Sequence, residues 1–164
     1  SQVLTLAINQ ANQSVRITTP YFVPSADLLE TLKMTAQRGI TVELIIPHKN
    51  DSLMVQWASR AFYAELMEAG VEIYEFYGGL LHTKSVVIDQ QFCLVGTVNM
   101  DMRSLWLNFE LTLAIDDEAF TKEMYWLQQN YMETSHQVKL EEWKKRSLYS
   151  RFLERTYYLF NPLL

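Results

Sequence analysis

A histidine and a lysine two residues apart, His82 and Lys84, are the side chains in this sequence best suited to chemistry. Residues two apart on a β-strand lie on the same face, so we expect both to face one site. The lysine ammonium can bind phosphate oxygens, whose negative charge increases during phosphodiester cleavage. The same ammonium disfavours the imidazolium and keeps His82 neutral and nucleophilic. The pair therefore predicts attack on a phosphodiester.

A longer pattern surrounds the pair, because residues 82–97 fit H-x-K-x4-D-x6-G-[ST]. Chance would produce these five residue types at fixed offsets in roughly one chain in ten thousand of this length. Asp89 is the third member of this catalytic motif, but its strand parity is opposite to that of His82. We therefore predict that Asp89 is a structural carboxylate that holds the strand or a loop and does not carry protons.

The motif follows an alternation of strands and helices punctuated by glycine and proline. The predicted elements are a helix at 1–12, a strand at 15–18, a helix at 25–38, a strand at 41–46, a helix capped by Asn50 or Asp51 and running to Ala69, a strand at 71–76, a hairpin of strands 82–89 and 92–95 turning at Gln90 and Gln91, a strand at 109–115 and a helix at 116–135. This order predicts an α/β fold, with a mixed β-sheet flanked by helices. Tyr21 and Phe22, held between two prolines, are candidates for lining a substrate cleft.

Composition excludes several classes of protein. The chain of 164 residues is 49% hydrophobic and 20% charged, as in globular proteins with a core, so a disordered segment is excluded. The single cysteine, Cys93, excludes a disulfide framework and a cysteine-based zinc site. We predict no cofactor and no metal, because the sequence has no glycine-rich nucleotide loop and no carboxylate cluster. The formal net charge of −5 argues against nucleic acid as a general partner.

The segment 138–164 is predicted to be a helical tail, and it differs from the rest of the chain in its charge. Six basic and three acidic residues give it a formal charge of +3, so the remainder carries −8. Aromatic side chains interleaved with lysine and arginine are typical of segments that contact an anionic membrane surface. The alternative, which is compatible with the first, is a helix packed on the domain with a solvated basic face. No run of about 20 apolar residues that could span a bilayer is present.

The motif resembles the HKD motif of the phospholipase D superfamily and, more closely, the second catalytic motif of bacterial cardiolipin synthases. The similarity covers nearly the whole chain, in segments 19–24, 46–52, 78–84, 96–104 and 161–164. It implies a single phospholipase D-like half-unit over residues 1–164. In the family, the enzyme transfers a phosphatidyl group between two phosphatidylglycerol molecules through a phosphohistidine, giving cardiolipin and glycerol. It works at the bacterial inner membrane without metal or cofactor.

The resemblance also implies roles for particular residues. His82 matches the catalytic histidine, and Lys84 matches the phosphate-binding lysine. Thr97 and Asn99 match a polar pair that helps to hold the phosphate. Glu110 matches a carboxylate that orients the histidine by accepting a hydrogen bond from its other ring nitrogen. The alternative for Glu110 is a solvated side chain on an edge strand.

The family uses two such motifs, whereas this chain has one. His48 is predicted to be a loop residue and His136 a surface residue, and neither lies in an H-x-K pattern. We therefore expect the site to be completed by a missing N-terminal half or by a second identical chain. Because the sequence starts at Ser1 and not at methionine, we expect a fragment of a longer protein.

Two other functions stay open at this stage. One is a homodimeric phosphodiesterase or nuclease with one motif in each chain, although the acidic body weighs against DNA as a substrate. The other is a non-catalytic half-domain that associates with membranes.

Overall fold

A computed structural model describes residues 2–101, 111–147 and 156 of the chain. Its helices are α1 (Gln2–Asn9), α2 (Ala26–Gln37), α3 (Leu53–Arg60), α4 (Tyr63–Glu68), α5 (Glu118–Glu133) and α6 (Leu140–Lys144). Its strands are β1 (Ser14–Thr18), β2 (Phe22–Val23), β3 (Thr41–Pro47), β4 (Glu72–Phe76), β5 (Ser85–Ile88), β6 (Phe92–Gly96), β7 (Met100–Asp101), β8 (Thr112–Ile115) and β9 (Ser135–Gln137).

Seven strands form one mixed sheet in the order β8-β6-β5-β1-β3-β4-β9, and β2 pairs with β7 separately. Strands β1, β3 and β4 are parallel to one another. Antiparallel pairing adds β5, β6 and β8 on one side and β9 on the other. The predicted α/β fold, a mixed sheet flanked by helices, is confirmed. Strands β1 and β3 are buried on both faces, which explains the nearly continuous apolar sequence of β3.

The two faces of the sheet differ in character. Helices α1, α2 and α4 cover one face and form an apolar core with the sheet, represented by Ile8, Leu32 and Leu66. Helix α5 covers the other face, where the guanidinium Nε of Arg16 lies 2.6 Å from the carboxylate of Glu43. Both members of this ion pair are buried, so each depends on the other for charge compensation.

The helix predicted from Asn50 or Asp51 to Ala69 is wrong in two respects. Its N-cap is Ser52, whose hydroxyl accepts a hydrogen bond from the backbone N–H of Val55. The helix is also interrupted between α3 and α4. There the N–H groups of Ala61 and Phe62 bond to carbonyls three residues earlier. The tighter turn coincides with burial of Phe62 in the core.

The strands also differ from the prediction. Strand β5 begins at Ser85, three residues later than expected, and β2, β7 and β9 were not predicted. The β5–β6 turn has positive φ at Asp89 and Gln90, one residue earlier than expected. Aspartate tolerates this left-handed conformation better than most residues, which favours the observed position.

The structure describes residues 138–147 of the basic segment 138–164, and this part packs on the domain. The ring of Trp143 in α6 stacks on Tyr63 with centroids 4.6 Å apart, and the Arg146 guanidinium lies over Trp143. Lys144 bonds to Glu68 of α4 at 2.9 Å. No helix in the described ranges is long and apolar enough to cross a membrane.

Candidate active site

The motif residues gather at the edge of the sheet where the parallel strands end. Strand β5 is antiparallel to β1, so its first residue, Ser85, pairs with the last residue of β1, Thr18. Strand β6 ends at the same edge, and the N–H of Gly96 donates to the carbonyl of Lys84. Loops that follow β1, β3, β4 and β6 therefore meet around residues 82–84. The carboxyl ends of parallel strands are where α/β folds commonly bind ligands.

His82 and Lys84 lie just before β5, and the expectation that they share one face of a regular strand is wrong. The two are nevertheless adjacent, because the Lys84 ammonium donates a hydrogen bond to the backbone carbonyl of His82 at 2.9 Å. Thr83 between them points towards α5, where its hydroxyl lies 2.8 Å from that of Tyr131. The imidazole of His82 is exposed at the edge and lines a small cleft.

Lys84 lines a second and larger cavity of about 290 Å³ on the α1 face of the sheet. Most of its lining is apolar and comes from α1, β5, β6 and the loop after β6; examples are Leu4, Val86, Leu94, Val98 and Met100. A lysine at the boundary of an apolar cavity can bind an anionic group that is attached to an apolar chain.

Gly96 is required by the close approach of β8. A Cβ atom at this position would overlap the carbonyl oxygen of Leu111 and lie 2.8 Å from the Cα of Thr112. The next residue, Thr97, is bonded to the backbone of Leu111: its N–H donates to the Leu111 carbonyl, and its hydroxyl accepts from the Leu111 N–H. The glycine of the motif thus lets β8 hold Thr97 at the edge of the sheet.

The loop that carries Asn99 is tied to the loop after β1. The N–H of Met100 donates to the carbonyl of Tyr21 and to the hydroxyl of Thr19. Strands β2 and β7 pair within the same two loops. Asn99 is therefore positioned at the same edge as His82, whereas Glu110 lies outside the described residues.

Asp89 lies at the opposite end of β5 from His82. Its carboxylate accepts hydrogen bonds from the backbone N–H groups of Asn12, Gln13 and Ser14 at 2.9, 2.7 and 2.8 Å. Burial alone would raise the pKa of Asp89, but these three bonds outweigh it and lower the pKa. This geometry joins the β5–β6 turn to the segment before β1 and keeps Asp89 away from the candidate site.

Two groupings near this edge were not predicted. The hydroxyl of Tyr21 donates to the carboxylate of Asp51, and both line the cleft beside His82. The Nδ1 atom of His48 lies 2.8 Å from the buried carboxylate of Glu75. The position of Tyr21 between two prolines indicated that it could line a cleft, but no sequence spacing predicts its contact with Asp51. Its neighbour Phe22 is a core residue and does not line the cleft.

The remaining histidine, His136, is exposed on β9. Over the described ranges, no group of three or more histidine, cysteine, aspartate or glutamate side chains is arranged to hold a metal ion.

Comparison with known proteins gives one family. Residues 4–131 match the model of a family described as cardiolipin synthase, PLD-like domain. The chain is 56% identical over 163 residues to cardiolipin synthase A of Edwardsiella ictaluri and 55% identical to that of Yersinia pseudotuberculosis. It spans about a third of the length of these curated relatives, since the match covers 34% of each.

Solved structures support the same fold. The phospholipase D family member Nuc from Salmonella typhimurium superposes with a TM-score of 0.73 at 18% identity, covering 84% of this chain and 90% of Nuc. Phosphatidylserine synthase of Haemophilus influenzae superposes with a TM-score of 0.75 at 17% identity, covering 99% of this chain and 42% of the synthase.

Proposed function

Because the chain belongs to the cardiolipin synthase, PLD-like domain family, we propose that it supplies half of the active site of a phosphatidyltransferase. This enzyme joins two phosphatidylglycerol molecules into cardiolipin and releases glycerol. The observation that carries the proposal is the exposed imidazole of His82 at the sheet edge, together with the Lys84 ammonium, which donates to the backbone carbonyl of the same histidine. The apolar cavity at Lys84 supports a lipid substrate, because it adjoins the cation that would bind the phosphate.

His82 serves as one of two histidines in a double displacement. A ring nitrogen of one histidine attacks phosphorus, and the bond between phosphorus and the glycerol oxygen breaks. The departing oxygen takes a proton from the other histidine. That second histidine then removes a proton from a hydroxyl of the next phosphatidylglycerol, which attacks the phosphohistidine and releases the ring. The sequence leaves open which of the two roles His82 has.

Three other side chains hold the phosphate during this sequence, and a fourth orients the histidine. Lys84 offsets the charge that builds on the phosphate oxygens, and Thr97 and Asn99 hold the phosphate from the neighbouring loop. Glu110 accepts a hydrogen bond from the ring nitrogen of His82 that does not react. In this proposal Asp89 has no contact with the substrate and maintains the fold of the motif.

The second histidine comes from outside this chain. One H-x-K pattern is present here, and the relatives are about three times as long as the matched segment. We therefore favour a first motif located in the preceding part of the parent protein. A second copy of this chain is the alternative source.

Turnover measurements on two proteins test this proposal: the chain alone, and a hybrid in which the chain replaces the matching third of the Edwardsiella relative. With phosphatidylglycerol vesicles, we expect the hybrid to form cardiolipin and the chain alone to form none. His82→Ala in the hybrid should reduce the rate at least about a thousandfold, because a reacting group is lost. His136→Ala is the matched control and should retain the rate.

Other results have distinct meanings. Cardiolipin formation by the chain alone that requires His82 would establish that two copies form the site. Full activity of the His82→Ala hybrid would refute the assignment of the histidine.

We also propose that the basic segment 138–164 associates with the anionic membrane that supplies the substrate. The support is its formal charge of +3 and its aromatic content. Binding to phosphatidylglycerol vesicles should weaken steeply between low and physiological salt, because the attraction is screened. Salt-independent binding, or equal binding to neutral phosphatidylcholine vesicles, would contradict it.

A further inference from the structure

A small cleft beside His82 contains polar groups to which the proposed mechanism gives no role. It has a volume of about 50 Å³ and is formed by the loops that follow β1, β3 and β4. Its polar lining consists of Tyr21, Lys49, Asn50, Asp51 and His82. The cleft is thus next to the reacting imidazole but separate from the cavity that Lys84 lines.

The central feature of the cleft is a phenol bonded to a carboxylate. The Tyr21 hydroxyl lies 2.8 and 2.9 Å from the two oxygens of Asp51. Burial, followed by the hydrogen bond to Asp51, raises the pKa of Tyr21 to about 12, so the phenol stays protonated and donates. Asp51 is solvent-exposed, and an ionised carboxylate has about four acceptor positions, of which the phenol occupies one or two. The others can accept hydrogen bonds from a ligand.

Asn50 fixes the relative position of the two loops that carry this pair. Its amide nitrogen donates to the carbonyl of Pro20 at 2.8 Å, and its amide oxygen accepts from the N–H of Ser52. Ser52 in turn caps α3. These hydrogen bonds fix the loops that carry Tyr21 and Asp51 relative to each other, as expected of a preorganised binding site.

The charge of Asp51 indicates which part of a substrate the cleft accepts. The carboxylate of Asp51 offsets the ammonium of Lys49 in the same cleft, so the cleft has no net positive charge to bind a phosphodiester, and the phosphate belongs on the side of Lys84. A carboxylate with an ammonium nearby is suited to hydroxyl groups, which can donate to Asp51 and accept from Lys49. The cleft thus fits the uncharged, hydroxyl-bearing end of an alcohol whose other end is at the phosphate.

We propose that Tyr21 and Asp51 form a hydroxyl-binding subsite that positions a polyol headgroup beside His82. The inference rests on the proposed function and assigns the subsite to the glycerol hydroxyls of phosphatidylglycerol. Leaving and entering alcohols traverse the same position in opposite directions, so one subsite serves both the departing glycerol and the acceptor headgroup. Its effect is to favour an alcohol over water as the acceptor.

The partition between two products tests the subsite. In the hybrid protein described above, transfer gives cardiolipin and hydrolysis gives phosphatidic acid from the same intermediate. Tyr21→Phe and Asp51→Asn should each lower the ratio of cardiolipin to phosphatidic acid about tenfold, because each removes a hydrogen-bonding group from the alcohol site. A folding defect would lower both products together and leave the ratio unchanged.

The chain offers a matched control pair. The Tyr74 hydroxyl donates to the carboxylate of Glu72 at 2.7 Å, outside the lining of the cleft. Tyr74→Phe and Glu72→Gln break the same type of bond and should leave the product ratio unchanged. An unchanged ratio in the Tyr21 and Asp51 variants, or an equal fall in the control variants, would overturn the proposal.

A binding measurement separates this inference from the proposed function. If the hybrid forms neither product, the proposed function has failed, and titration of the chain with glycerophosphoglycerol then decides the subsite. About tenfold weaker binding by Asp51→Asn, with unchanged binding by Glu72→Gln, would support it. Equal affinities, or no binding by the unsubstituted chain, would overturn it.

Discussion

Substitution of Asp89 tests whether its carboxylate has a structural or a catalytic role. Asp89 belongs to the same motif as His82. The carboxylate accepts three backbone hydrogen bonds from residues 12–14, about 75 positions away in sequence. Asp89→Ala removes all three acceptors. Asp89→Asn keeps one oxygen, which can continue to accept from Gln13 and Ser14 in place of Oδ1, but turns an amide towards Asn12.

The expected loss of stability follows from the exposure of each donor. A hydrogen bond to a charged group contributes about 1.5–3 kcal/mol when it is shielded from water. The bond from Ser14 is partly buried, and we assign it about 1.5 kcal/mol. The bonds from Asn12 and Gln13 are exposed, so water replaces them and each contributes about 0.5 kcal/mol. The free energy of unfolding should therefore fall by about 2.5 kcal/mol for alanine and about 1 kcal/mol for asparagine.

Urea denaturation measures these losses, and their pH dependence checks their cause. The pKa of Asp89 is lowered in the folded chain, so its contribution is fully present above the unfolded pKa of about 4. It is lost as the pH falls through the folded pKa. The difference in stability between the parent chain and Asp89→Asn should therefore be largest near pH 7 and decrease as the pH falls below about 4 and through the lowered folded pKa.

Activity measurements decide between the two roles. Asp89→Asn in the hybrid should retain most of its turnover at a temperature where the protein is folded. A loss of turnover comparable to that of His82→Ala, without a loss of stability, would refute the structural role. Asp89→Gly is the matched control for the backbone, because glycine accepts the positive φ at this position but provides no acceptor.

Two further predictions concern stability. Arg16→Met leaves the buried carboxylate of Glu43 without its ion-pair partner and should lower the free energy of unfolding by about 3–5 kcal/mol. Adding Glu43→Leu should restore most of this loss. Additive losses in the double variant would contradict this reasoning. Gly96→Ala should cost about 3 kcal/mol in the same assay, because the methyl group overlaps the carbonyl of Leu111, and a melting temperature equal to that of the parent would show that β8 can move.

The order of strands and helices could be predicted because these elements are encoded locally. The apolar run of β3 is typical of a strand buried on both faces, and Ser25 caps α2 by accepting from the N–H of Leu28. The break between α3 and α4 could not be predicted. It lies between residues that favour helix, and it coincides with burial of Phe62 through tertiary contacts.

Only those residues of the candidate site that lie in one motif could be predicted from the sequence. His82 and Lys84 are two positions apart, so their spacing identified them, but the strand on which they were predicted to lie begins only at Ser85. The pair of Tyr21 and Asp51 joins two loops that are 30 residues apart in sequence. Only the parallel pairing of β1 with β3 places the ends of those strands side by side.

The position of β1 in the sheet has a consequence for the order of folding. On one side β1 pairs with β3, and the bond between Arg16 and Glu43 joins residues 27 positions apart in sequence. On the other side it pairs with β5, and the bond between Ser14 and Asp89 joins residues 75 positions apart. Closing the longer loop costs more chain entropy, and contacts between distant residues form slowly. The β5–β6 hairpin can form early by itself, but it carries His82 to the sheet edge only once it has docked on β1. We therefore expect the reactive edge to assemble late in folding, after the parallel strands are already in place.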